Sequence, residues 1–312
     1  MSGDFYFESA AGIRLHGYRW EPEGAPKAII QIIHGIAEHV GRYDGLARYL
    51  TSQGYLVVAE DHMGHGKSIC AEVPQGYFAG GWDAALENCC LLLRNMKAEY
   101  PGVPYILYGH SMGSFLTRSI LIKHPDSGID GAIICGTGWM PGAVIGAGKA
   151  VSTLACKAKG EQKPSKLLKT MMFGSYNKKI EHQRTPSDWL TRDSSSVDAF
   201  LADPLCGFVA SAGLVRDMMS GLLYIQNSEN LDAMKKDLPV FFIAGGDDPV
   251  GNYGAGVRQA VEEFKKHGME QVSVRIYPLC RHEIHNELNK EEVYCDVTGW
   301  MEGILSAAAS KV

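Results

Sequence analysis

The run Gly109-His110-Ser111-Met112-Gly113 places a serine between two glycines, each two residues away. The apolar residues 105–108 before it predict a strand, and the apolar residues 115–122 after it predict a helix. At a sharp turn from strand to helix a serine is held in a strained conformation that exposes its hydroxyl, and the flanking glycines let strand and helix approach closely. This context predicts that Ser111 is the nucleophile of an acyl-transfer reaction. A chance coincidence is the alternative, since the chain has 36 glycines.

A serine hydroxyl needs a general base at neutral pH, and the base needs an acid that fixes its tautomer. The predicted strand at residues 240–244 is followed by Asp247 and Asp248, and the one at residues 272–277 is followed by His282 and His285. We predict His282 as the base and Asp248 as the acid, in the chain order serine, acid, histidine. Two alternatives remain. Asp247 could be the acid instead of Asp248, or it could simply form the turn. His285 could be the base instead of His282, or it could be a packed or capping residue.

Acyl transfer also needs N–H donors for the negative charge that develops on the carbonyl oxygen. One predicted donor is the amide of Met112. The second is the amide of Ile36, in the His34-Gly35-Ile36 loop that follows the predicted strand at residues 28–33. A simple strand-to-helix turn is the alternative interpretation of that loop.

Short apolar runs alternate with segments of helical period, which predicts an α/β fold with a mostly parallel central sheet flanked by helices. The predicted strands are residues 28–33, 56–59, 105–108, 132–135, 240–244 and 272–277, and helical stripes cover residues 82–100, 253–264 and 293–304. Residues 5–9 and 13–20 favour an antiparallel hairpin that turns at Ala11-Gly12.

The alternation of strands and helices stops between about residues 138 and 230. A stretch of this length is too long for a loop in a compact domain, so it predicts a helical cap inserted before the strand that leads to Asp248. We therefore expect a core made of residues 1–137 and 231–312 and a cap made of residues 138–230.

Composition limits the partners and the cellular compartment. The net charge is -5 and the basic residues are scattered, which argues against a nucleic-acid partner. The 8 cysteines form no C-x-x-C pair and lie mostly in apolar runs, as reduced thiols of a cytoplasmic protein do. Residues 1–7 do not look like a secretion signal, and the longest uncharged stretch, residues 132–148, is broken by Pro141 and glycines, so no membrane span is expected.

The segment Asp61-His62-Met63-Gly64-His65-Gly66 offers two histidines and an aspartate that could suggest a metal. Its spacing provides no open three-ligand geometry and no evident fourth partner, so we interpret it as a structural loop and expect no metal there. The segments 38–39 and 41–43 are interpreted as packing and hydrogen-bonding supports.

With these motifs the sequence resembles the α/β-hydrolase superfamily, and within it the monoacylglycerol lipase and lysophospholipase-like branch. The resemblance covers nearly the whole chain and rests on residues 34–39, 41–43, 61–68 and 109–113, on Asp248 and His282 in family order, and on the cap segments 188–193 and 203–207. Ile36 departs from the pattern, because small residues are frequent there in related enzymes. Since the donor is a backbone amide, this change should alter the pocket wall more than the chemistry.

The resemblance implies hydrolysis of the carboxylic ester of a single-chain lipid, monoacylglycerol or lysophospholipid, through an acyl-enzyme and without a cofactor. It implies Ser111, Asp248 and His282 as the catalytic triad, and Ile36 and Met112 as the oxyanion hole. The substrate would be a small acyl ester, and the oligomeric state stays open.

Apolar side chains in the insert could line an acyl tunnel, although ordinary core packing is the alternative. They are Met171, Met172, Phe173, Met218, Met219, Leu222 and Leu223. Seven lysines between positions 157 and 179 make part of the insert basic. A solvated charged face is the simpler interpretation, and a transient contact of the cap with a lipid surface is the alternative.

Two rival functions are an aminopeptidase of the same superfamily and a non-catalytic binder that uses the fold as a ligand pocket. An aminopeptidase needs acidic cap residues to hold a free amine, and Glu161, Asp188 and Asp193 are available. A binder is expected to have lost part of the reactive set, which is complete in this sequence.

A fluorophosphonate probe separates enzyme from binder. We expect the intact protein to be labelled at Ser111, because only an activated serine attacks the probe at neutral pH. Peptide mapping by mass spectrometry measures the site, and Ser111→Ala is the control. An intact, folded protein that resists labelling would favour the binder.

Overall fold

The computed structural model describes residues 2–309, so Met1 and residues 310–312 of the expected core lie outside the described residues. Eight strands form one sheet in the order β1-β2-β4-β3-β5-β6-β7-β8. The strands are β1 (Gly3–Glu8), β2 (Arg14–Trp20), β3 (Ile29–Ile33), β4 (Leu56–Glu60), β5 (Tyr105–His110), β6 (Gly131–Cys135), β7 (Val240–Gly245) and β8 (Val272–Tyr277). The strands β1 and β2 form an antiparallel hairpin, and β2 also runs antiparallel to its other neighbour, β4. The six strands β3 to β8 are parallel to one another. The predicted fold class is confirmed.

Ten α-helices connect and cover the strands. They are α1 (Asp44–Ser52), α2 (Gly81–Glu99), α3 (Met112–Lys123), α4 (Gly142–Lys159), α5 (Lys166–Phe173), α6 (Ser194–Ala202), α7 (Ala212–Ile225), α8 (Ser228–Leu231), α9 (Ala255–Lys266) and α10 (Lys290–Ala309) within residues 2–309. In this part of the chain no helix has both the length and the apolar character that a bilayer crossing requires.

The central strands are buried on both faces, which is why their sequences are continuously apolar rather than alternating. Alternate residues of β3 belong to different cores: Ile29 and Ile33 pack with α2, α3 and α7, whereas Ile30 and Ile32 pack with α1 and α10. The sheet therefore separates two hydrophobic cores.

Five of the helices, α4 to α8, lie between β6 and β7, as a helical insert requires. The last long one, α7, is largely buried and packs against α2 and α3 of the core as well as against α4. Gly221 allows this approach, because a Cβ at that position would strike the Trp82 ring. The division into core and cap at residues 138 and 230 stays a prediction.

Two local expectations differ from the structure. The helix predicted from Tyr253 begins at Ala255, because Asn252 and Tyr253 adopt positive φ and cannot start a right-handed helix. His285 is not at the head of the last helix but in a 3₁₀ turn, Ile284–Asn286. The chain is extended after this turn, where the Glu287 carboxylate accepts hydrogen bonds from the backbone amides of Arg281 and Arg192.

Substitution of Gly113 should destabilise the fold severely, because its Cβ would collide with the backbone carbonyl oxygens of Ile33 and His34, which cannot move aside. We expect Gly113→Ala to lower the free energy of unfolding by about 3 kcal/mol or more. Gly146→Ala is the matched control: it lies inside α4 with nothing within 4 Å of the added Cβ, and should raise stability by about 1 kcal/mol. Urea denaturation measures both, and equal midpoints would contradict this account.

Candidate active site

Ser111 occupies the turn between β5 and α3, at the carboxyl edge of the sheet. Its φ of 54° and ψ of -121° are values that side-chain-bearing residues rarely adopt. The Ser111 amide donates to the Cys135 carbonyl oxygen at 3.0 Å, so β6 helps to hold the turn. Gly109 is required because a Cβ there would strike the Thr117 hydroxyl. The structure thus gives Ser111 the strained, partly exposed position expected of a nucleophile, and its catalytic role stays a prediction.

His282 and Asp248 come together from the ends of two neighbouring strands, β8 and β7. The His282 Nδ1 lies 3.0 Å from the Asp248 Oδ2, and both side chains are buried. The other carboxylate oxygen accepts from the Val250 amide at 2.8 Å, which fixes the Asp248 rotamer. Burial opposes a second proton on the His282 ring, but the Asp248 carboxylate more than offsets it, so the pKa of His282 is raised above its ordinary value. A carboxylate in this place also sets the ring so that Nε2 is free to accept a proton.

The two alternatives occupy other environments. Asp247 is exposed, and its backbone amide donates to the Cys280 carbonyl oxygen. His285 is fully buried and stacks on the Tyr43 ring at a centroid distance of 4.7 Å. Burial lowers the pKa of His285 to about 3. Its ring nitrogens have no hydrogen-bond partner among the described residues, so the geometry brings His282 rather than His285 to an acid.

The loop after β3 passes close to the serine. A Cβ added to Gly35 would lie 3.0 Å from the Ser111 Cβ. Ile36 follows in this loop, Met112 opens α3, and both line the cavity that Ser111 reaches. The structure therefore places the two predicted oxyanion-hole residues on either side of the nucleophile, and the donor role of their amides stays a prediction.

The carboxylate of Glu38 organises this loop from below. Its Oε1 accepts hydrogen bonds from the Gly35 amide at 2.6 Å and from the Tyr43 hydroxyl at 2.8 Å. Burial alone would raise the pKa of Glu38, but His110 and the Arg42 charge hold it well below its usual value. Glu38 thus remains an anion inside the protein and fixes the turn that carries Ile36.

Arg42 joins Glu38 to the loop of the predicted base. Its Nη1 lies 3.1 Å from the Glu38 Oε2, and its Nη2 donates to the Glu283 Oε2 at 2.7 Å, with a second short contact between Nη1 and Glu283. Glu283 directly follows His282. The sequence correctly suggested that residues 38–39 and 41–43 are supports, but it missed Glu283 and His110, whose partners lie far away along the chain.

Two segments of the insert contact the site loops through their backbones. The His282 amide donates to the Trp189 carbonyl oxygen at 3.3 Å, and the Glu283 amide to that of Leu190 at 2.7 Å. The Gly207 amide donates to the Ala37 carbonyl oxygen at 2.9 Å. The segments 188–193 and 203–207, singled out in the sequence, therefore reach the loop of the predicted base and the loop of the predicted oxyanion hole respectively.

Two cavities meet at Ser111. One, of about 640 Å³, lies between α3, α4, α5 and α7 and is lined mostly by apolar side chains. The other, of about 400 Å³, also has a mostly apolar lining, and it contains His282 together with polar groups such as Asn177, Gln183 and Lys169. Six of the seven apolar insert residues line the larger cavity: Met171, Met172, Phe173, Met218, Met219 and Leu222, but not Leu223.

In the Asp61–Gly66 segment, Asp61 has a structural role. The Asp61 carboxylate contacts the His16 Nδ1 at 2.7 Å and accepts from the Val40 and Lys67 amides at 2.9 Å each. These partners occupy both of its oxygens. Asp61 therefore ties the hairpin to the loop beside the site.

These features define an α/β-hydrolase: a serine at the turn after the central strand, an acid and a histidine after later strands, and a helical insert above them. Residues 24–289 match the sequence profile of a family described as serine aminopeptidase, S33. The match covers most of the chain, and the chain belongs to this family.

Relatives match over nearly the whole length. The monoacylglycerol lipase of Mycolicibacterium smegmatis is 27% identical, with 95% of this chain and 95% of the relative covered. The human monoglyceride lipase is also 27% identical over 94% of this chain and 88% of the relative. Among solved structures, a carboxyl esterase from Bacillus coagulans has a TM-score of 0.88 at 28% identity, covering 97% of this chain and 99% of that chain. A monoglyceride lipase variant from Saccharomyces cerevisiae shares the fold with a TM-score of 0.78 at 18% identity, covering 97% and 95% of the two chains.

Replacing the predicted acid should affect both rate and pH dependence. A general base must be neutral to accept a proton. The pKa of His282 is raised above the ordinary histidine value of about 6.5, so in the wild type kcat/KM should fall as the pH drops through this raised pKa. Asp248→Asn removes the charge that raises this pKa. It should lower kcat by on the order of 10³–10⁴ and move the acid limb to lower pH. A pH–rate profile with a soluble ester measures both effects.

Asp247→Asn is the matched control, since it removes an exposed neighbouring carboxylate. We expect it to change kcat less than about twofold. A severe loss in Asp247→Asn together with a mild effect in Asp248→Asn would contradict the assignment of the acid.

Proposed function

We propose that this carboxylic ester hydrolase cleaves esters of single-chain lipids, monoacylglycerol or lysophospholipid, through an acyl-enzyme on Ser111. The observation that carries the proposal is the pair of cavities that meet at Ser111: a larger apolar cavity, and a smaller one whose mostly apolar lining also carries His282, Asn177 and Gln183. An acyl chain fits the larger, apolar cavity, and the alcohol fits the smaller cavity, where polar groups are within reach. Relatives that align over more than nine-tenths of this chain are named as monoacylglycerol and monoglyceride lipases.

The proposed reaction uses His282 twice. The Ser111 hydroxyl attacks the ester carbonyl carbon while the His282 Nε2 takes its proton, and the amides of Ile36 and Met112 bind the oxyanion. The C–O bond to the alcohol then breaks as His282 returns the proton to the leaving oxygen. Water repeats the sequence on the acyl-enzyme, which releases the fatty acid and restores Ser111.

The geometry supports cleavage of an ester over removal of an N-terminal residue from a peptide. The three acidic cap residues considered for binding an amine have other partners: Glu161 pairs with Arg216, Asp188 accepts from the amides of Arg184 and Thr185, and Asp193 caps α6. None of the three lines either cavity at Ser111. A site for a free α-amine therefore lacks its counter-charge at these positions.

We further propose a cytoplasmic location and a transient contact between the cap and lipid surfaces. All 8 cysteines are free and only Cys295 is exposed, which suits a reducing compartment. Val144, Leu154, Leu167 and Met171 of the cap expose more than half of their surface, and the neighbouring lysines supply positive charge. Exposed apolar side chains on the same helices as several lysines suit an anionic lipid interface.

The test is a hydrolysis series. Monoacylglycerols of increasing chain length, the corresponding lysophosphatidylcholines and a prolyl chromogenic amide are compared by release of fatty acid or amine. We expect ester hydrolysis to improve with chain length until the apolar cavity is filled, and the amide to be inert. Amide cleavage without ester cleavage would overturn the proposal.

A cavity variant ties the chain-length preference to the structure. Met218→Trp inserts a larger ring into the wall of the apolar cavity. It should reduce kcat/KM for long-chain esters by about tenfold or more while leaving acetyl esters close to wild type, because short chains do not reach the wall. Equal losses for acetyl and long-chain esters would show that the cavity does not hold the acyl chain.

A further inference from the structure

Three chemically complementary side chains meet in the core beside the active site, outside the groups used above. They are Glu60 at the end of β4, His62 in the following loop and Cys89 in α2. Each is at most 1% exposed. One Glu60 oxygen, Oε2, and the His62 Nδ1 have no hydrogen-bond partner among the described residues. Buried polar atoms without partners are rare, and each calls for a physical explanation.

Nearby contacts prepare the His62 ring to act as a ligand. Its Nε2 donates to the His34 carbonyl oxygen at 3.1 Å, and a carbonyl can only accept. In its neutral form the ring therefore carries its proton on Nε2 and presents an unprotonated Nδ1 to Glu60. Histidines that bind metals are oriented in this way, by donation from the second ring nitrogen to a backbone carbonyl or a carboxylate.

Two of the three distances between donor atoms are close to those expected around a tetrahedral zinc ion. The Cys89 Sγ lies 3.2 Å from the Glu60 Oε1, and the His62 Nδ1 lies 3.6 Å from the same oxygen. The three donor atoms all lie within 4.8 Å of one another. Zinc bonds of about 2.0–2.3 Å to nitrogen, oxygen and sulfur place neighbouring ligand atoms about 3.3–3.7 Å apart.

Charge balance favours a divalent ion. Within residues 2–309 the recorded partners of the Glu60 carboxylate are the Cys89 thiol, which donates to Oε1, and the His62 ring, and no lysine or arginine forms an ion pair with it. A buried carboxylate without a permanent positive charge beside it is strongly unfavourable. A Zn²⁺ ion bound to the Glu60 carboxylate, a Cys89 thiolate and a neutral His62 gives a site with no net charge. Binding displaces the thiol proton of Cys89, so the step releases one H⁺ to solvent.

We propose that Glu60, His62 and Cys89 form a structural binding site for a zinc-type divalent cation. Glu60 supplies one or both oxygens, and the ion joins β4, its following loop and α2. The sequence considered Asp61, His62 and His65 together, but the Asp61 oxygens already have partners. Of the three proposed donors only His62 belongs to that segment, while Glu60 lies one residue before it and Cys89 lies 27 positions after His62.

The site would stabilise the loop that carries the predicted oxyanion hole. His62 holds His34 twice, through the Nε2 contact and through its own amide, which donates to the His34 Nε2 at 3.0 Å. The two rings also contact each other, with centroids 4.0 Å apart. Because the donors are buried, we expect the ion to enter during folding rather than by exchange into the native protein.

The test uses tag-free protein expressed in zinc-supplemented medium, and the same protein refolded with Zn²⁺, with Co²⁺ or with a chelator. Elemental analysis measures the bound metal, and Co²⁺ adds a thiolate charge-transfer band in the near ultraviolet. We expect about one equivalent of metal per chain in the wild type and a higher melting temperature after refolding with metal than with chelator. Fluorophosphonate labelling and circular dichroism report whether each sample is folded.

Cys89→Ser should lose the cobalt band and at least about tenfold in metal content. Cys90→Ser is the matched control, since Cys90 is the adjacent buried thiol of the same helix and is not in the cluster. Glu60→Gln tests the same site without altering a cysteine. A folded wild type with less than about 0.1 equivalent of metal under all conditions would overturn the proposal. Full retention of metal in both Cys89→Ser and Glu60→Gln would overturn it as well.

Discussion

Arg42 lies between the carboxylates of Glu38 and Glu283 in the interior beneath Ser111. The exposed fraction of the side chain is 9% for Arg42, 4% for Glu38 and 2% for Glu283. Taking three charges out of water is costly, and the cost is offset only when their geometry and remaining hydrogen bonds are well satisfied. Removing any one of them leaves an uncompensated buried charge, which typically destabilises a protein by about 3–5 kcal/mol. The fold therefore admits little variation in how these three side chains meet.

The other parts of the site depend on this meeting point. Glu38 fixes Gly35 and the loop that carries Ile36, while Glu283 fixes the loop that carries His282. Ser111 itself sits in a conformation that costs on the order of 1–3 kcal/mol and persists only where the surroundings over-determine it. The buried charges and the close backbone approach at Gly113 provide that rigidity, so the predicted reacting groups have fixed positions in the absence of a substrate.

The sequence predicted the parts of this structure that follow from local pattern. The apolar strands, the helical stripes and the turn at Ser111 are each encoded in one continuous stretch of the chain, and the structure contains all of them. The contact between Asp248 and His282 was also predictable, because parallel strands end at one edge of the sheet. Local pattern alone left the choice between Asp247 and Asp248 open, because which neighbour faces inward depends on the turn and on what packs against it.

The remaining features depend on contacts between distant segments. Arg42 and Glu283 are 241 positions apart, and Glu60 meets Cys89 only because α2 packs across the end of β4. No periodicity in the chain encodes such pairs. The start of α9 was mispredicted for a related reason, since the positive φ at Tyr253 reflects tertiary context rather than its apolar side chain.

The backbone hydrogen bonds from His282 and Glu283 to the carbonyls of Trp189 and Leu190 have a consequence for how such proteins diversify. Insertions between β6 and β7 are the obvious place to acquire a new binding surface. In this chain the inserted segment also completes the backbone hydrogen bonding of the loop that bears the proposed base. Exchange of the whole insert between relatives therefore amounts to an exchange of part of the catalytic scaffold, and a graft has to preserve the main-chain path at residues 189–190 even where every side chain around it changes.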